Sequence, residues 1–228
     1  MPLISLSLAC LAFVGSHLAM SHPLRAPMVG RLGERGFQAV YSLISLATLA
    51  WVYFAFRAAP AMPPLWDGGG DLIWIAATAL MWCASVLLAG SLVGNPALPD
   101  PNAAINATHM AKGVFGITRH PMMLAFTIWG AVHIMVMPAL PDIILAGSII
   151  FLAFAGALGQ DRKKMRQLGT AWQGWQGRTA FVPFGMQMDG KAPWRDAMPS
   201  PSVLIAGTLI WLTATWMHGN GAGIWRWF

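Results

Sequence analysis

Charge is scarce in this chain. Asp, Glu, Lys and Arg make up 10% of its 228 residues, against 57% that are hydrophobic, where a soluble domain carries about 25% charged residues. That shortage excludes an ordinary water-soluble globule and points to lipid as the solvent. Cysteine is nearly absent. The two present, Cys10 and Cys83, lie inside apolar runs, so they offer no disulfide framework and no metal-ligand spacing and read as packing residues. There is no phosphate-binding loop, dinucleotide fingerprint, serine nucleophile elbow or zinc-protease helix, which removes the common soluble catalytic motifs. Tyrosine is limited to two residues beside twelve Trp and fifteen Met, a balance that suits a membrane protein with interfacial indoles.

What the chain does have is long apolar runs. Six of them, at 3–20, 37–56, 72–93, 122–137, 143–159 and 203–218, approach the roughly 20 residues that a helix needs to cross a bilayer. The expected fold is therefore all-α: a polytopic integral membrane helix bundle of about six transmembrane helices, in one domain over 1–228. The first run has no basic start and no small-x-small cleavage site, so it reads as a membrane helix rather than a signal peptide. The fourth and fifth are joined by Pro138-Ala139-Leu140-Pro141-Asp142, a tight turn. Pro121 suits a first helical position and leaves His120 at the N-cap. Residues 161–175 read as a short basic helix at the interface, with Trp172 and Trp175 turned to lipid and the charges to headgroups.

The net charge of +6 would suggest nucleic acid in a soluble protein. Here the basic residues fall between apolar runs, so anionic lipid headgroups are the expected counter-charge. Alternate loops hold twelve Lys and Arg on one side against Arg57 and Arg226 on the other. By the positive-inside rule both termini face away from the cytoplasm, in a bacterial-type inner membrane, and the long loop after residue 159 faces it.

Ionisable rings at membrane depth mark function by default. His17 lies in Gly15-Ser16-His17, and His133 in Trp129-Gly130-Ala131-Val132-His133. Small neighbours would let a bulky group approach each helix face. Two readings stand for both: an axial ligand to haem iron, or a histidine hydrogen-bonded across the bundle. By the helix rise the two differ in depth by roughly 10 Å, so His120 is an alternative second ligand. Arg119 and the helix start beside His120 form a candidate anion site, for a propionate, carboxylate or phosphate. Arg25, Arg31 and Arg35 are candidates for the same task, or simply the positive-inside signal. His22 reads as interfacial, and His218 as a ring satisfying the carbonyls that end the last span.

These residues carry a resemblance to the NnrU family and its relative, the 15-cis-zeta-carotene isomerase. It rests on Gly15-Ser16-His17, Leu32-Gly33-Glu34-Arg35-Gly36-Phe37 with Tyr41-Ser42-Leu43, Thr118-Arg119-His120-Pro121-Met122 and Trp129-Gly130-Ala131-Val132-His133. Asp161-Arg162 and Trp216-Met217-His218-Gly219 complete it, so it covers nearly the whole chain. The resemblance implies haem b with His17 and His133 as axial ligands and as the catalytic pair. His120, Arg119, Arg25 and Arg35 would line the cofactor, and the function would be redox-dependent cis-trans isomerisation of a polyene or a role in nitric oxide and denitrification chemistry. Its partners would be membrane lipid and an apolar polyene or isoprenoid. The isomerase has a Cys near the second ligand where this chain has Gly130, which puts ligand switching in doubt. A more distant resemblance, through Arg119-His120-Pro121, is to the isoprenylcysteine and phospholipid methyltransferases and implies S-adenosylmethionine there. Those enzymes place two Glu where this chain has Asp161-Arg162. A third reading is a non-catalytic haem sensor or assembly protein.

Overall fold

The computed structural model describes residues 2–218 and 221–228. The described residues form helices and turns, with no strand. In chain order the helices are α1 (Pro2–Ser21), α2 (Arg25–Arg57), α3 (Asp71–Ser91), α4 (Ala103–Asn106), α5 (Val114–Ile117), α6 (Pro121–Val136), α7 (Leu140–Leu168), α8 (Thr170–Arg178), α9 (Gly185–Met188) and α10 (Pro201–Met217). Short 3-10 turns follow at Trp194–Ala197 and Gly223–Trp227. The six expected spans are α1, α2, α3, α6, α7 and α10. Four of these (α1, α2, α3 and α7) are long and apolar enough to cross a membrane, while α6 and α10 are apolar but shorter. Large apolar side chains stand outward, among them Leu43, Leu46 and Phe54 on α2 and Phe151 and Phe154 on α7, each more than half exposed. Water would not tolerate apolar faces of that extent on a monomer, and hydrocarbon does.

Sequence chemistry sets the helix ends. α2 begins twelve residues before the expected span because it is two helices joined at Gly33, whose φ of 70° only glycine adopts without strain. Phe37 onward is the apolar part that the sequence singles out. Pro121 and Pro201 start α6 and α10, where a missing N–H costs nothing. Ser200 accepts from the Val203 N–H at α10's start. At the other end of α6, Trp66 donates to the Met135 carbonyl (3.1 Å) and the Leu65 N–H to Pro138 (2.9 Å), which satisfies carbonyls a helix leaves orphaned.

Contacts divide the chain into two compact units. The first holds residues up to Ile73 together with Gly130–Gly159, and the second Trp74–Trp129 with Gln160–Phe228. In the first, α1 and α2 are antiparallel, since Ser5 meets Trp51 and Ser21 meets Tyr41. Leu6, Ala9 and Cys10 of α1 pack with Val52 and Ala55 of α2 and with Ile144 and Leu145 of α7. Gly130 is where α6 touches α7: a Cβ there would meet Ile150 Cγ1 at 2.6 Å and the Ala146 carbonyl at 2.9 Å. The small residue therefore admits a helix.

In the second unit the core gathers Leu87, Ala107, Val114, Phe115 and Ala125 around Trp172 and Trp175. The expectation of a lipid-facing basic helix over 161–175 is corrected here. α7 runs on to Leu168 and α8 follows, and Trp172 and Trp175 are 0% and 2% exposed. Lys164 is buried too, donating to the Leu98 carbonyl at 3.0 Å. An indole pair in a charged run passes for an interfacial belt in sequence, but alanines at 97, 107 and 111 leave room to bury both rings. Cys83 likewise departs from its expected packing role: Cys10 is buried, whereas Cys83 is exposed on α3.

Candidate functional site

In the second unit the segment 118–121 is held by the chain around 179–184. The Arg119 N–H donates to the Ala180 carbonyl (2.7 Å), Thr118 Oγ1 to the Phe181 carbonyl (2.9 Å) and the Phe184 N–H to the Ile117 carbonyl (2.7 Å). Extended backbone at Thr118 and the proline that follows His120 keep this stretch out of helix until Pro121. The consequence is that two ionisable side chains point inward, Arg119 at 8% and His120 at 5% exposure. A buried cation requires a partner, and Asp161 of α7 supplies it. Arg119 Nε donates to Oδ1 at 3.0 Å and Nη2 to Oδ2 at 2.8 Å, a bidentate fork, while Nη1 donates to the Thr179 carbonyl at 3.2 Å. His120 Nε2 lies 2.9 Å from the same Oδ1, and the ring packs edge-on to Phe181. Because the carboxylate only accepts, Nε2 carries the proton in the neutral ring. Nδ1 then keeps the lone pair, buried and with no partner among the described residues.

This geometry corrects the anion-site expectation. The Arg119 fork is filled by Asp161, so it presents no free cation to a propionate, to a phosphate or to the carboxylate of S-adenosylmethionine. Arg25 is similarly engaged, paired with Glu34 and lying over the Phe37 ring at 5.2 Å. Arg35 is exposed.

The first unit holds His17 and His133. His17 Nδ1 is 2.8 Å from the Phe13 carbonyl of the preceding turn, and its ring meets Phe13 at 4.3 Å and Tyr41 edge-on at 5.4 Å. The carbonyl only accepts, so the neutral ring is protonated at Nδ1 and offers its lone pair at Nε2. Gly15 has open space around it, but it lies about 200° around the helix from His17. It therefore does not open the face on which the imidazole sits.

α7 serves as a ruler for depth. Cys10 lies against Ser148 and His22 against Gly159, so α1 and α7 run parallel with an offset of about 138, and His17 is level with about residue 155. α6 runs antiparallel to α7, with Gly130 on Ala146 and Ile150 and His133 beside Asp142. His133 is thus level with about residue 145, roughly 15 Å from His17 along α7. His17 has the chemistry of a metal ligand, and by this register its backbone and that of His133 stand at different depths along α7.

Comparison with known proteins now bears on the identity of this arrangement. A family model described as NnrU protein matches residues 5–225. The chain belongs to the NnrU family. No curated protein and no solved structure matches it. Within this NnrU chain the sequence motifs fall in both units. Gly15–His17, Gly33–Phe37, Tyr41 and the Gly130–His133 stretch lie in the first, and Thr118–Met122, Asp161 and Trp216–His218 lie in the second. Gly219, the last position of the final motif, is outside the described residues. His218 does satisfy a helix end, with Nδ1 at 2.6 Å from the Ala214 carbonyl. Among the described residues no three His, Cys, Asp or Glu side chains come together as a metal cage. The partner that sequence reasoning missed is Asp161. Its signal was present, as the one acid beside four basic residues where an apolar run ends.

Proposed function

We propose that this NnrU-family membrane protein binds haem b in its first unit, with His17 as the sole histidine ligand. The observation that carries the reading is the His17 tether to the Phe13 carbonyl, which fixes the ring and leaves Nε2 as the donor nitrogen. Tyr41 supports the tether: it meets the edge of the imidazole while its hydroxyl accepts from Ser21. Together they restrict the ring to one orientation, as a ligand that must not rotate requires. Held there by His17, haem would supply a one-electron couple and a metal able to bind a small diatomic ligand.

A single histidine holding the group favours a one-electron or nitric-oxide role. Isomerisation of a polyene is the second reading, favoured by the apolar exterior of α1 and α2, from which a lipid-soluble chain would approach. Methyl transfer gains nothing from the geometry, because the Arg119 fork is already occupied by Asp161. The distribution of Lys and Arg, twelve against two, supports an inner-membrane orientation with both termini outside the cytoplasm.

The test is haem content per protein in purified wild type, His17→Ala and His133→Ala, read as the pyridine haemochrome. Near-stoichiometric haem in wild type and His133→Ala, with loss of most of it in His17→Ala, is expected. Haem retained by His17→Ala, or lost equally from both variants, overturns the assignment.

A further inference from the structure

Trp172 and Trp175, the indoles expected at the lipid interface, are buried, and another stretch of the same unit exposes its apolar side chains instead. Between α8 and α10 the chain passes through α9 and the 3-10 turn at Trp194–Ala197. Along it Val182, Met188, Trp194 and Met198 are each 60% exposed or more, and Phe184 is 37% exposed. Phe184 and Trp194 are in ring contact at 5.7 Å, and the Met188 N–H donates back to the Phe184 carbonyl at 2.9 Å. The exposed side chains therefore belong to one folded element.

Hydrogen bonds fix the level of that element in the unit. The Phe184 N–H donates to the Ile117 carbonyl (2.7 Å), just before α6 begins at Pro121. The Gly113 N–H donates to the Asp196 carbonyl (2.7 Å), and Gln187 Nε2 to the Gly116 carbonyl (3.1 Å). A Cβ at Gly116 would strike the Asp196 carbonyl, so glycine permits the approach. Pro201 then starts α10. The element thus lies where α6 and α10 begin. These helices have 16 and 17 residues, about 24 and 26 Å by the helix rise. Taken as spans, as this inference requires, they fall short of a hydrocarbon layer of about 30 Å. The chain at their ends is then drawn into its boundary.

That level decides what covers the patch. Between headgroups and acyl chains, indoles and other large apolar side chains are favoured, and cations beside them meet phosphate. Lys112 and Arg195 stand exposed next to Gly113 and Asp196, whose backbones are bonded. Asp189 is paired with Lys191, and Asp196 is the other acid of the segment. In water the same side chains would form an apolar patch of a kind that soluble surfaces avoid. We infer that residues 182–198 are a membrane-seated anchor, with Val182, Met188 and Trp194 inserted at the headgroup–acyl boundary of a phospholipid surface.

The experiment is an electron paramagnetic resonance depth measurement on the full chain in vesicles of phosphatidylethanolamine and phosphatidylglycerol. Cys10→Ala and Cys83→Ala clear the background, and a nitroxide is attached at Trp194→Cys, Met188→Cys or Val182→Cys, one at a time. Collision with oxygen, which concentrates in the bilayer, is compared with collision with a water-soluble nickel complex. Nitroxide-labelled lipids calibrate the depth. The oxygen-to-nickel ratio at all three positions should match that of lipids labelled at the headgroup–acyl boundary. Leu209→Cys, at an exposed position midway along α10, reads the span itself and should lie deeper. A water-like ratio at the three positions with a deep Leu209→Cys label overturns the inference and leaves the patch to a soluble partner. Labels shielded from both reagents also overturn it, and would place a second copy of the chain there. A water-like ratio at Leu209→Cys as well overturns the α10 span, and the inference with it. If Trp194→Cys fails to fold by circular dichroism, the other two positions decide the matter.

Discussion

Asp161 neutralises Arg119 and orients His120 at once. Removing one partner of a buried pair leaves the other charge uncompensated, which costs about 3–5 kcal/mol. Asp161→Ala should destabilise the detergent-solubilised protein by that amount in thermal or denaturant unfolding. Replacing Arg119 and Asp161 together by Met and Leu should recover most of the loss, as apolar exchange of a buried pair does. A single variant that melts like wild type would mean the pair contributes nothing. The sequence showed Arg119 and His120 as candidates through their place before Pro121, and His17 through its place in an apolar run. It did not show which charge meets which. Pairing across some forty residues depends on how α7 returns past residues 118–121, and no local spacing encodes that.

At the scale of elements, glycines separate helix faces that touch from those that do not. A methyl at Gly130 would press on Ile150 and the Ala146 carbonyl, and overpacking of that kind costs about 1–3 kcal/mol. Gly15 has open space, and alanine there should stabilise α1 by about 0.5–1 kcal/mol. Opposite signs for Gly130→Ala and Gly15→Ala in one melting series are the expected outcome; equal effects would contradict the packing. Trp172 gives a sharper contrast. Fully buried on the inner face of α8, it should cost about 3–5 kcal/mol when cut to alanine, whereas a lipid-facing indole would cost little. All six apolar helices, four of them long enough to cross a membrane, were legible in the sequence, because apolar run length is a local property. The kink at Gly33 and the burial of Trp172 were not. The first is a single φ, and the second depends on alanines sixty and more residues away.

For the whole molecule, the twelve-to-two distribution of Lys and Arg is the ground on which we propose that both termini lie outside the cytoplasm. A C-terminal alkaline phosphatase fusion should be active and a fluorescent-protein fusion dark. The reverse pattern would put the C-terminus in the cytoplasm and invert the scheme. The relation of His17 to His133 is also a matter of scale. His17 and His133 look equivalent when each is placed in its own apolar run. The register of α1 and α6 on α7 places them roughly 15 Å apart in depth. We therefore propose His17 alone as the histidine that would hold haem. The most direct test is the absorption and electron paramagnetic resonance spectrum of the purified, dithionite-reduced protein before and after nitric oxide. A five-coordinate, high-spin ferrous haem that binds nitric oxide immediately is the predicted result. A low-spin haem with sharp, split α and β bands and no reaction with nitric oxide would show two strong protein ligands and contradict it.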